Sequence, residues 1–348
     1  MKRGKELGEM LKELERMDSV KRDFVAPTPQ LQVYKNGDFN LKIGDQGSFG
    51  IGEVAHGQLA ERLKIPKKYY DRMRTEAPKL LEDNINYWFV NKPEDRMVRT
   101  LDNRARAFLS SGYRPLDNLD LSRASFEALS GVEGIEVKSS EITESRVYFQ
   151  IITTAISFEV KVGDVVQAGI VISNSEVGMG SVKVEPMIYR LVCSNGMIAP
   201  DRSLNRYHIG RQIQVNGAEI FFRDETRRAD DKAFWMKVKD VVRGSFNRDV
   251  FEGIAKRATE ATQERIEGRL EKVVEVTKDR FNLQEREQSD ILKHLIDGGD
   301  LSRWGMVNAV TRSAHDVDDY DRSIELQRIG GEVLELPKTQ WEEIATAN

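Results

Sequence analysis

Arginine side chains are concentrated between residues 96 and 114, and a tyrosine lies among them. The residue types predict a β-hairpin here, with strands at 97–100 and 105–109 and a tight turn at Asp102 and Asn103. Guanidinium groups bind phosphates through paired hydrogen bonds, and aromatic rings stack on bases, as in grooves that bind single-stranded nucleic acid. We predict a binding surface made of Arg99, Arg104, Arg106, Tyr113 and Arg114.

The same arginines allow a second interpretation, because carboxylates lie close to them in the chain. These carboxylates belong to Glu94, Asp95, Asp102 and Asp117. Ion pairs on a solvated strand face are common, and each contributes only about 0–1 kcal/mol to stability. Both interpretations of the hairpin stay open at this point.

A second group of polar residues could form a ligand or catalytic site. Its members are Asp117, Asn118, Ser173, Asn174, Glu176, Arg190 and Asn195, and an enzyme would also draw on His208. The run from residue 173 to residue 176 interrupts two strands, so its side chains either brace a turn through bonds to the backbone or form a polar corner with Arg190 across from it. No convincing catalytic set emerges, so we predict no catalytic residue and keep an enzyme of unknown reaction as an alternative.

The sequence contains no recognisable motif for binding a metal ion or a cofactor. The four histidines lack ligand spacing, phosphate-binding loops are absent, and Gly178 and Gly180 do not complete a dinucleotide fingerprint. The single cysteine, Cys193, shares strand parity with Tyr189 and Leu191, so we predict a buried structural thiol. The sequence therefore predicts no metal and no cofactor.

Composition places the chain among polar globular proteins. It has 348 residues, of which 39% are hydrophobic and 32% charged, with a formal net charge of −4. A single cysteine excludes an internal disulfide and fits a reducing compartment. No apolar run approaches the roughly 20 residues of a membrane span, and the charged N-terminus does not resemble a signal peptide. We predict a cytoplasmic protein without a membrane partner.

The order of elements predicts an α+β fold in three parts. Residues 1–83 are expected to form an amphipathic helix and a small helical unit. Residues 84–225 are expected to form a β-rich core domain, with a strand at 87–90 and a helix at 119–129 crossing a curved antiparallel sheet. Residues 226–348 are expected to form a charged helical region. The predicted strands of the sheet are 132–137, 146–156, 158–160, 165–172 and 181–193, with a further strand at 212–215.

Four segments carry more specific expectations about helices. The first helix has an apolar stripe that packs on its own domain or docks a partner chain. The segment 56–73 resembles a helix-turn-helix, in which Lys67, Lys68, Tyr69, Tyr70, Arg72 and Arg74 would face DNA, or it is a small helical packing unit. The dense charges of residues 249–276 suggest a long exposed helical hairpin or coiled coil. The acidic run at 316–321 is expected to start a helix.

Four stretches of the sequence carry a family resemblance. They read SNSEVGMGS followed by YRLVCSNGMI, AFLSSGYRPLDN at 107–118, WGMVNAVTRSAH at 304–315, and LQRIGGEVLEL at 326–336. Together they resemble a prokaryotic family, common in phages and plasmids, that is catalogued as domain of unknown function 932. The resemblance spans residues 59–336. It implies a phage or mobile-element origin and a bacterial host cytoplasm, and it implies no activity.

The predicted architecture is also similar to that of phage single-strand annealing proteins, which assemble into rings. This analogy and the arginine hairpin predict a single-stranded DNA-binding protein of recombination that forms homo-oligomers. Besides the enzyme, a further alternative is an inhibitor of host defence or another host-interaction protein. An apolar patch exposed on the first helix would favour it.

Overall fold

The computed structural model describes residue 2, residues 4–200 and residues 224–348. The strand predicted at 212–215 and the candidate His208 lie outside the described residues. In chain order the elements are α1 (Leu7–Val20), β1 (Arg22–Pro27), β2 (Leu31–Asn36), β3 (Asp38–Ile43), β4 (Gly47–Ile51), α2 (Glu53–Arg62), α3 (Lys67–Glu76), α4 (Pro78–Asn91), β5 (Asp95–Leu101), β6 (Arg104–Ser110), α5 (Asn118–Leu129), β7 (Ile135–Ile142), β8 (Val147–Lys161), β9 (Asp164–Asn174), β10 (Lys183–Arg190), β11 (Asn195–Ile198), α6 (Asp224–Gly244), α7 (Arg248–Ala261), α8 (Leu270–Phe281), α9 (Glu285–Gly298), α10 (Arg303–Ser313), α11 (Tyr320–Leu334) and α12 (Lys338–Ala345).

The first sheet has six strands in the order β1-β5-β6-β4-β3-β2. Only β4 and β6 run parallel, through Gly50 and Ile51, and the other neighbours are antiparallel. The helices α2 and α4 contact β6 and β2, and together they enclose an apolar core. The predicted arginine hairpin is therefore present as β5 and β6, but it lies in the middle of a sheet built with N-terminal strands.

The strand predicted at 87–90 is wrong, because these residues lie in α4. Leu81, Ile85 and Phe89 recur every four residues and are all buried against the first sheet. Pro78 occupies the first turn, where its fixed φ angle favours a helix start. The run of aromatic and β-branched residues suggested a strand, but the helical spacing of the buried positions decides the structure.

The second sheet matches the predicted curved antiparallel sheet. Its strands follow one another in chain order from β7 to β11, all antiparallel, and the sheet curls into a half-barrel. The helix α5 packs Leu121 and Leu129 against Phe149 and Ile170 on one face of it, as expected for the crossing helix. The fold is α+β, as predicted.

The C-terminal helices cover the second sheet. Phe251 of α7 and Val273 of α8 are fully buried in the same cluster as Val166 of β9. The exposed hairpin or coiled coil predicted for residues 249–276 is therefore wrong, since its apolar residues pack on the sheet and residues 262–269 break the helix. The acidic run does start a helix, because the Asp319 carboxylate accepts a hydrogen bond from the Asp321 amide at 2.8 Å. None of the helices in the described ranges is long and apolar enough to cross a membrane.

The helix α1 packs on its own chain. Met10, Leu14 and Met17 are buried, and the first two belong to the cluster that also holds Phe149 and residues of α5. The predicted stripe is thus already covered, which removes the exposed apolar patch that would favour a host-interaction protein.

Replacement of Leu14 by alanine tests this packing. Because the side chain is 2% exposed, Leu14→Ala should lower the free energy of unfolding by about 2–5 kcal/mol, through lost burial and a cavity. The matched control is Lys12→Ala on the exposed face of α1, which should change it by less than about 0.5 kcal/mol. Urea unfolding measures both, and equal effects would show that α1 does not pack as described.

Candidate functional site

Arg99 is the centre of a buried network that joins both predicted groups of residues. Its Nε donates to Asp23 Oδ1 at 2.8 Å, one terminal nitrogen donates to the Glu176 carbonyl at 2.8 Å, and the other donates to Asp117 Oδ1 at 2.9 Å. The Arg99 side chain is 4% exposed. Its guanidinium group is therefore occupied by the protein itself.

Glu176 extends this network. One of its carboxylate oxygens accepts a hydrogen bond from the backbone amide of Asn118 at 2.7 Å, and the other pairs with the Arg106 guanidinium at 3.2 Å. The Asn174 side chain donates to Asn118 Oδ1 at 2.9 Å. We call this set the Arg99–Glu176 network, and its members are Asp23, Arg99, Arg106, Asp117, Asn118, Asn174 and Glu176. It connects β1, β5 and β6 of the first sheet to the end of β9 in the second.

Charge pairing lowers the pKa of one carboxyl group in this network. Burial raises the pKa of Asp117, but the nearby charges of Arg99 and Lys21 outweigh it, so the pKa lies below its usual value. Asp117 Oδ2 lies 2.6 Å from Lys21 Nζ. The Asp117 side chain therefore stays ionised at neutral pH and acts as a fixed counter-ion.

Tyr113 and Arg114 also have partners within the protein. The Tyr113 hydroxyl donates to the Ser175 carbonyl at 3.3 Å, and its ring packs against the cluster of Ala107, Leu109 and Val177. The Arg114 guanidinium pairs with Asp230 at 3.2 Å. These contacts place both residues at the same end of the second sheet as the Arg99–Glu176 network.

Ser173 is buried but stands apart from that network. It pairs in register with Tyr148 of β8, whereas Asn174 pairs with Val147. Successive residues of a strand point to opposite faces, so Ser173 faces the side of the sheet that α11 covers. Its hydroxyl has no hydrogen-bond partner among the described residues.

Arg190 and Asn195 lie at the other end of the second sheet. In the register of β9 and β10, Arg190 is opposite Val166, whereas Ser173 is opposite Lys183. The polar corner expected to have Arg190 across from residues 173–176 is therefore wrong. Arg190 instead pairs with Asp164 at 2.6 Å. The Asn195 side chain donates to Thr311 Oγ1 of α10 at 2.5 Å.

Cys193 does not lie on a buried strand face, and that prediction is wrong. The strand β10 ends at Arg190, and residues 191–194 form a turn in which Ser194 has a left-handed backbone with φ 53°. The half-buried thiol accepts hydrogen bonds from Arg190 at 3.1 Å and from Arg312 at 3.7 Å. The thiol thus links the turn to α10.

Arg104 differs from the other predicted arginines. It is exposed, and the structure gives its guanidinium no hydrogen bond or ion pair with any described residue. The strand is also irregular here, since Arg99 pairs with Ala107 but Thr100 pairs with Ala105. This bulge separates the two side chains expected to project together, because Arg106 pairs with Glu176 while Arg104 lines a different region.

That region is an open cavity of about 430 Å³ in the N-terminal half of the chain, which we call the Arg104 cavity. It is lined by Lys35, Gly37, Asp38, Phe39, Gly50, Ile51, Glu53, His56, Arg74 and Arg104. Arg74 is held by Glu53 through two contacts of 2.9 Å. The sequence analysis assigns Arg74 and Arg104 to separate candidate surfaces, because the lining comes from six separate elements and no local motif connects them.

The predicted pair of short helices at 56–73 is present as α2 and α3. Tyr70 is fully buried in the core and Tyr69 is exposed. Lys67 pairs with Asp71, Arg72 with Glu76 and Arg74 with Glu53, so these three cations already have carboxylate partners. DNA recognition by α3 stays a prediction.

In the part of the chain that the structure describes, no group of three or more His, Cys, Asp or Glu side chains is arranged to hold a metal ion. The described residues thus form an α+β protein with two sheets, a buried ionic network between them and a cationic cavity. The family model described as Domain of unknown function (DUF932) matches residues 107–329, and the chain belongs to this family. Comparison of this chain with the curated proteins and with the solved structures found no match.

Removal of the central guanidinium group should be costly. Arg99→Ala leaves Asp23, Asp117 and the Glu176 carbonyl without their donor, so the free energy of unfolding should fall by about 3–5 kcal/mol. Arg104→Ala, on the same hairpin but exposed, should change it by less than about 0.5 kcal/mol. Chemical unfolding compares them, and a mild effect of Arg99→Ala would contradict the network.

The lowered pKa of Asp117 predicts a specific pH dependence. Because the folded pKa lies below the unfolded value of about 3.9, its contribution is complete above that value and is lost as pH falls through the folded pKa. Asp117→Asn should therefore be less stable than the natural chain at neutral pH, and the difference should shrink as pH falls below about 4. Urea titrations at several pH values measure it, and a constant difference would argue against this ion pair.

Proposed function

We propose that this chain binds single-stranded nucleic acid through a cationic surface around Arg104. The observation that carries the proposal is that Arg104 is exposed and has no ion-pair partner among the described residues, while Lys35 and Arg74 line the same cavity. A free guanidinium group can bind a phosphate without first breaking an internal ion pair. Its planar fork also matches two phosphate oxygens at once.

The proposed surface retains one residue of the predicted arginine surface. Arg99, Arg106 and Arg114 each have a carboxylate partner, and Tyr113 donates its hydroxyl to the backbone. Using them for a ligand would expose buried charges or break these contacts. The binding surface is therefore centred on the start of β6, beside the turn between β2 and β3.

The overall charge of −4 does not oppose this proposal. Electrostatic attraction acts over a Debye length of about 8–10 Å at physiological salt, so the local charge around the cavity matters more than the total. The lining has three cations, Lys35, Arg74 and Arg104, and two acids, Asp38 and Glu53. One of these acids, Glu53, is already paired with Arg74.

The wider setting is part of the same proposal. A single-strand-binding protein in a phage or other mobile element would act in DNA recombination, as a homo-oligomer in the bacterial cytoplasm. An enzyme has less support, because most polar residues suggested for it either bond to one another in the Arg99–Glu176 network or lie at the far end of the second sheet. Binding of a polyanion requires no catalytic set.

Binding to a single-stranded oligonucleotide over a series of salt concentrations tests the proposal. The affinity should fall steeply with salt, because each protein–phosphate contact releases counterions. Lys35→Ala combined with Arg104→Ala should weaken binding for all sequences and reduce the slope of log K against log salt by about 0.7 for each lost contact. Fluorescence anisotropy provides the measurement.

The matched control removes two exposed cations from α9, through Arg286→Ala and Lys293→Ala. This control removes the same amount of positive charge as the cavity variant. Because Arg286 and Lys293 do not line the cavity, it should leave most of the affinity in place. A second comparison replaces Lys67 and Lys68, and a larger effect there would favour the helix-turn-helix interpretation. Absence of any salt-dependent binding would refute the proposed function.

A further inference from the structure

We propose that the Arg104 cavity holds a phosphate monoester, the group found at the phosphorylated end of a nucleic-acid strand. The assignment of a nucleic-acid strand as the ligand rests on the proposed function. The binding of a phosphate monoester depends only on the chemistry of the cavity. The proposal places the phosphorylated end of the strand, and not an internal phosphate, in the Arg104 cavity. Four features of the cavity support it.

The first feature is its charge. The lining has three cations, Lys35, Arg74 and Arg104, against the two acids Asp38 and Glu53, and Arg104 has no partner among the described residues. A phosphate monoester carries about −1.5 to −2 charges at neutral pH, whereas each internal phosphodiester carries one. A lining with an excess of positive charge and one guanidinium group free of described partners therefore favours the terminal group over an internal one.

The second feature is a buried hydrogen-bond donor in the cavity lining. His56 is 4% exposed, and its Nδ1 lies 2.7 Å from the Tyr70 hydroxyl. Tyr70 is fully buried, and this nitrogen is the hydroxyl's only partner among the described residues. With Nδ1 as its only neighbouring acceptor, we assign the hydroxyl as the donor, which places the imidazole proton on Nε2.

The protonation state of His56 agrees with this role. Burial, and to a smaller extent the positive charge of Arg74, lower the pKa of His56 to about 4, so the ring is neutral at physiological pH. A neutral ring with its proton on Nε2 can still donate one hydrogen bond. Nε2 has no partner among the described residues, so a ligand oxygen in the cavity can accept that bond.

The third feature is the start of α2. Glu53 and His56, which line the cavity, lie in the first turn of this ten-residue helix, and the Gly52 N-cap supplies no side-chain hydrogen bond. The N-terminal end of α2, where the helix dipole is positive, therefore borders the cavity, and the Glu53 carboxylate in the same turn offsets part of that charge. The side-chain donors available at this part of the cavity are therefore those of His56 on α2 and Arg104 on β6.

The fourth feature is the shape. The lining includes the buried side chains of His56 and Phe39, while the exposed Arg104 and Lys35 lie at its edge. An internal phosphodiester continues into chain on both sides, so it can contact only the edge. A strand end continues into chain on one side only, so it can enter further into the cavity than an internal phosphodiester. The volume of about 430 Å³ falls within the range of about 300–1,000 Å³ that is typical of small-ligand sites.

The decisive experiment compares one oligonucleotide with a 5′-phosphate, a 3′-phosphate or no terminal phosphate, using the full chain at one salt concentration. One phosphorylated end should bind roughly tenfold tighter or more than the unphosphorylated strand, as expected for added charge-assisted hydrogen bonds. Inorganic phosphate and adenosine 5′-monophosphate are tested in parallel, and both should compete with the phosphorylated end.

Variants of the cavity locate the effect. His56→Ala should reduce the ratio of affinities for phosphorylated and unphosphorylated strands toward one, and so should Arg104→Ala. Arg104 is exposed, so its variant keeps the test informative if His56→Ala does not fold. The pair Arg286→Ala and Lys293→Ala on α9 is the control for charge, and it should preserve the ratio.

The outcomes separate this inference from the proposed function. Equal binding of all three strands overturns the monoester site and leaves single-strand binding standing. Binding of inorganic phosphate and adenosine 5′-monophosphate, lost in Arg104→Ala, with no strand binding, supports the monoester site and refutes the proposed function. Binding of none of these ligands overturns both.

Discussion

The structure depends on one buried guanidinium group. Charge transferred out of water is unfavourable unless it is paired and hydrogen-bonded, so Arg99 requires acceptors around it. They come from β1, from the residue before α5 and from the loop after β9. Because these segments are far apart in the chain, this one side chain joins three distant parts of the sequence where the two sheets meet.

The same requirement explains why arginine content alone is a poor guide to ligand binding. Arginine serves equally well as a contact to phosphate and as a buried connector between carboxylates, because its five donors point in fixed directions. Within one hairpin, Arg99 is buried against three acceptors, whereas Arg104 is exposed and has no partner among the described residues. Only burial and partners distinguish the two uses, and both are properties of the folded chain.

Periodicity in the sequence was enough to predict the antiparallel meander, the crossing helix and most C-terminal helices. It failed at residues 87–90, where a short apolar run is compatible with a strand or a helix and tertiary packing decides. It also failed at Cys193, because strand parity was extended past the end of β10 into a turn.

The candidate site was harder to predict than the fold. The structure brings together four members of the predicted polar group, Asp117, Asn118, Asn174 and Glu176, and their role as a ligand site stays a prediction. Arg190 was misplaced, because the register of β9 and β10 determines which end of the sheet it occupies. The Arg104 cavity could not be found at all, since it needs the parallel pairing of β4 with β6, which no local pattern encodes.

That parallel pairing also affects the order in which the chain can fold. In the first sheet, β5 and β6 lie between β1 on one side and β4 on the other. During synthesis β1 to β4 emerge first, and the two strands that must separate β1 from β4 emerge last. Until Ser110 has left the ribosome, β1 and β4 keep unpaired edges, which are templates for pairing with other chains. The N-terminal half therefore completes its sheet in one late, non-local step.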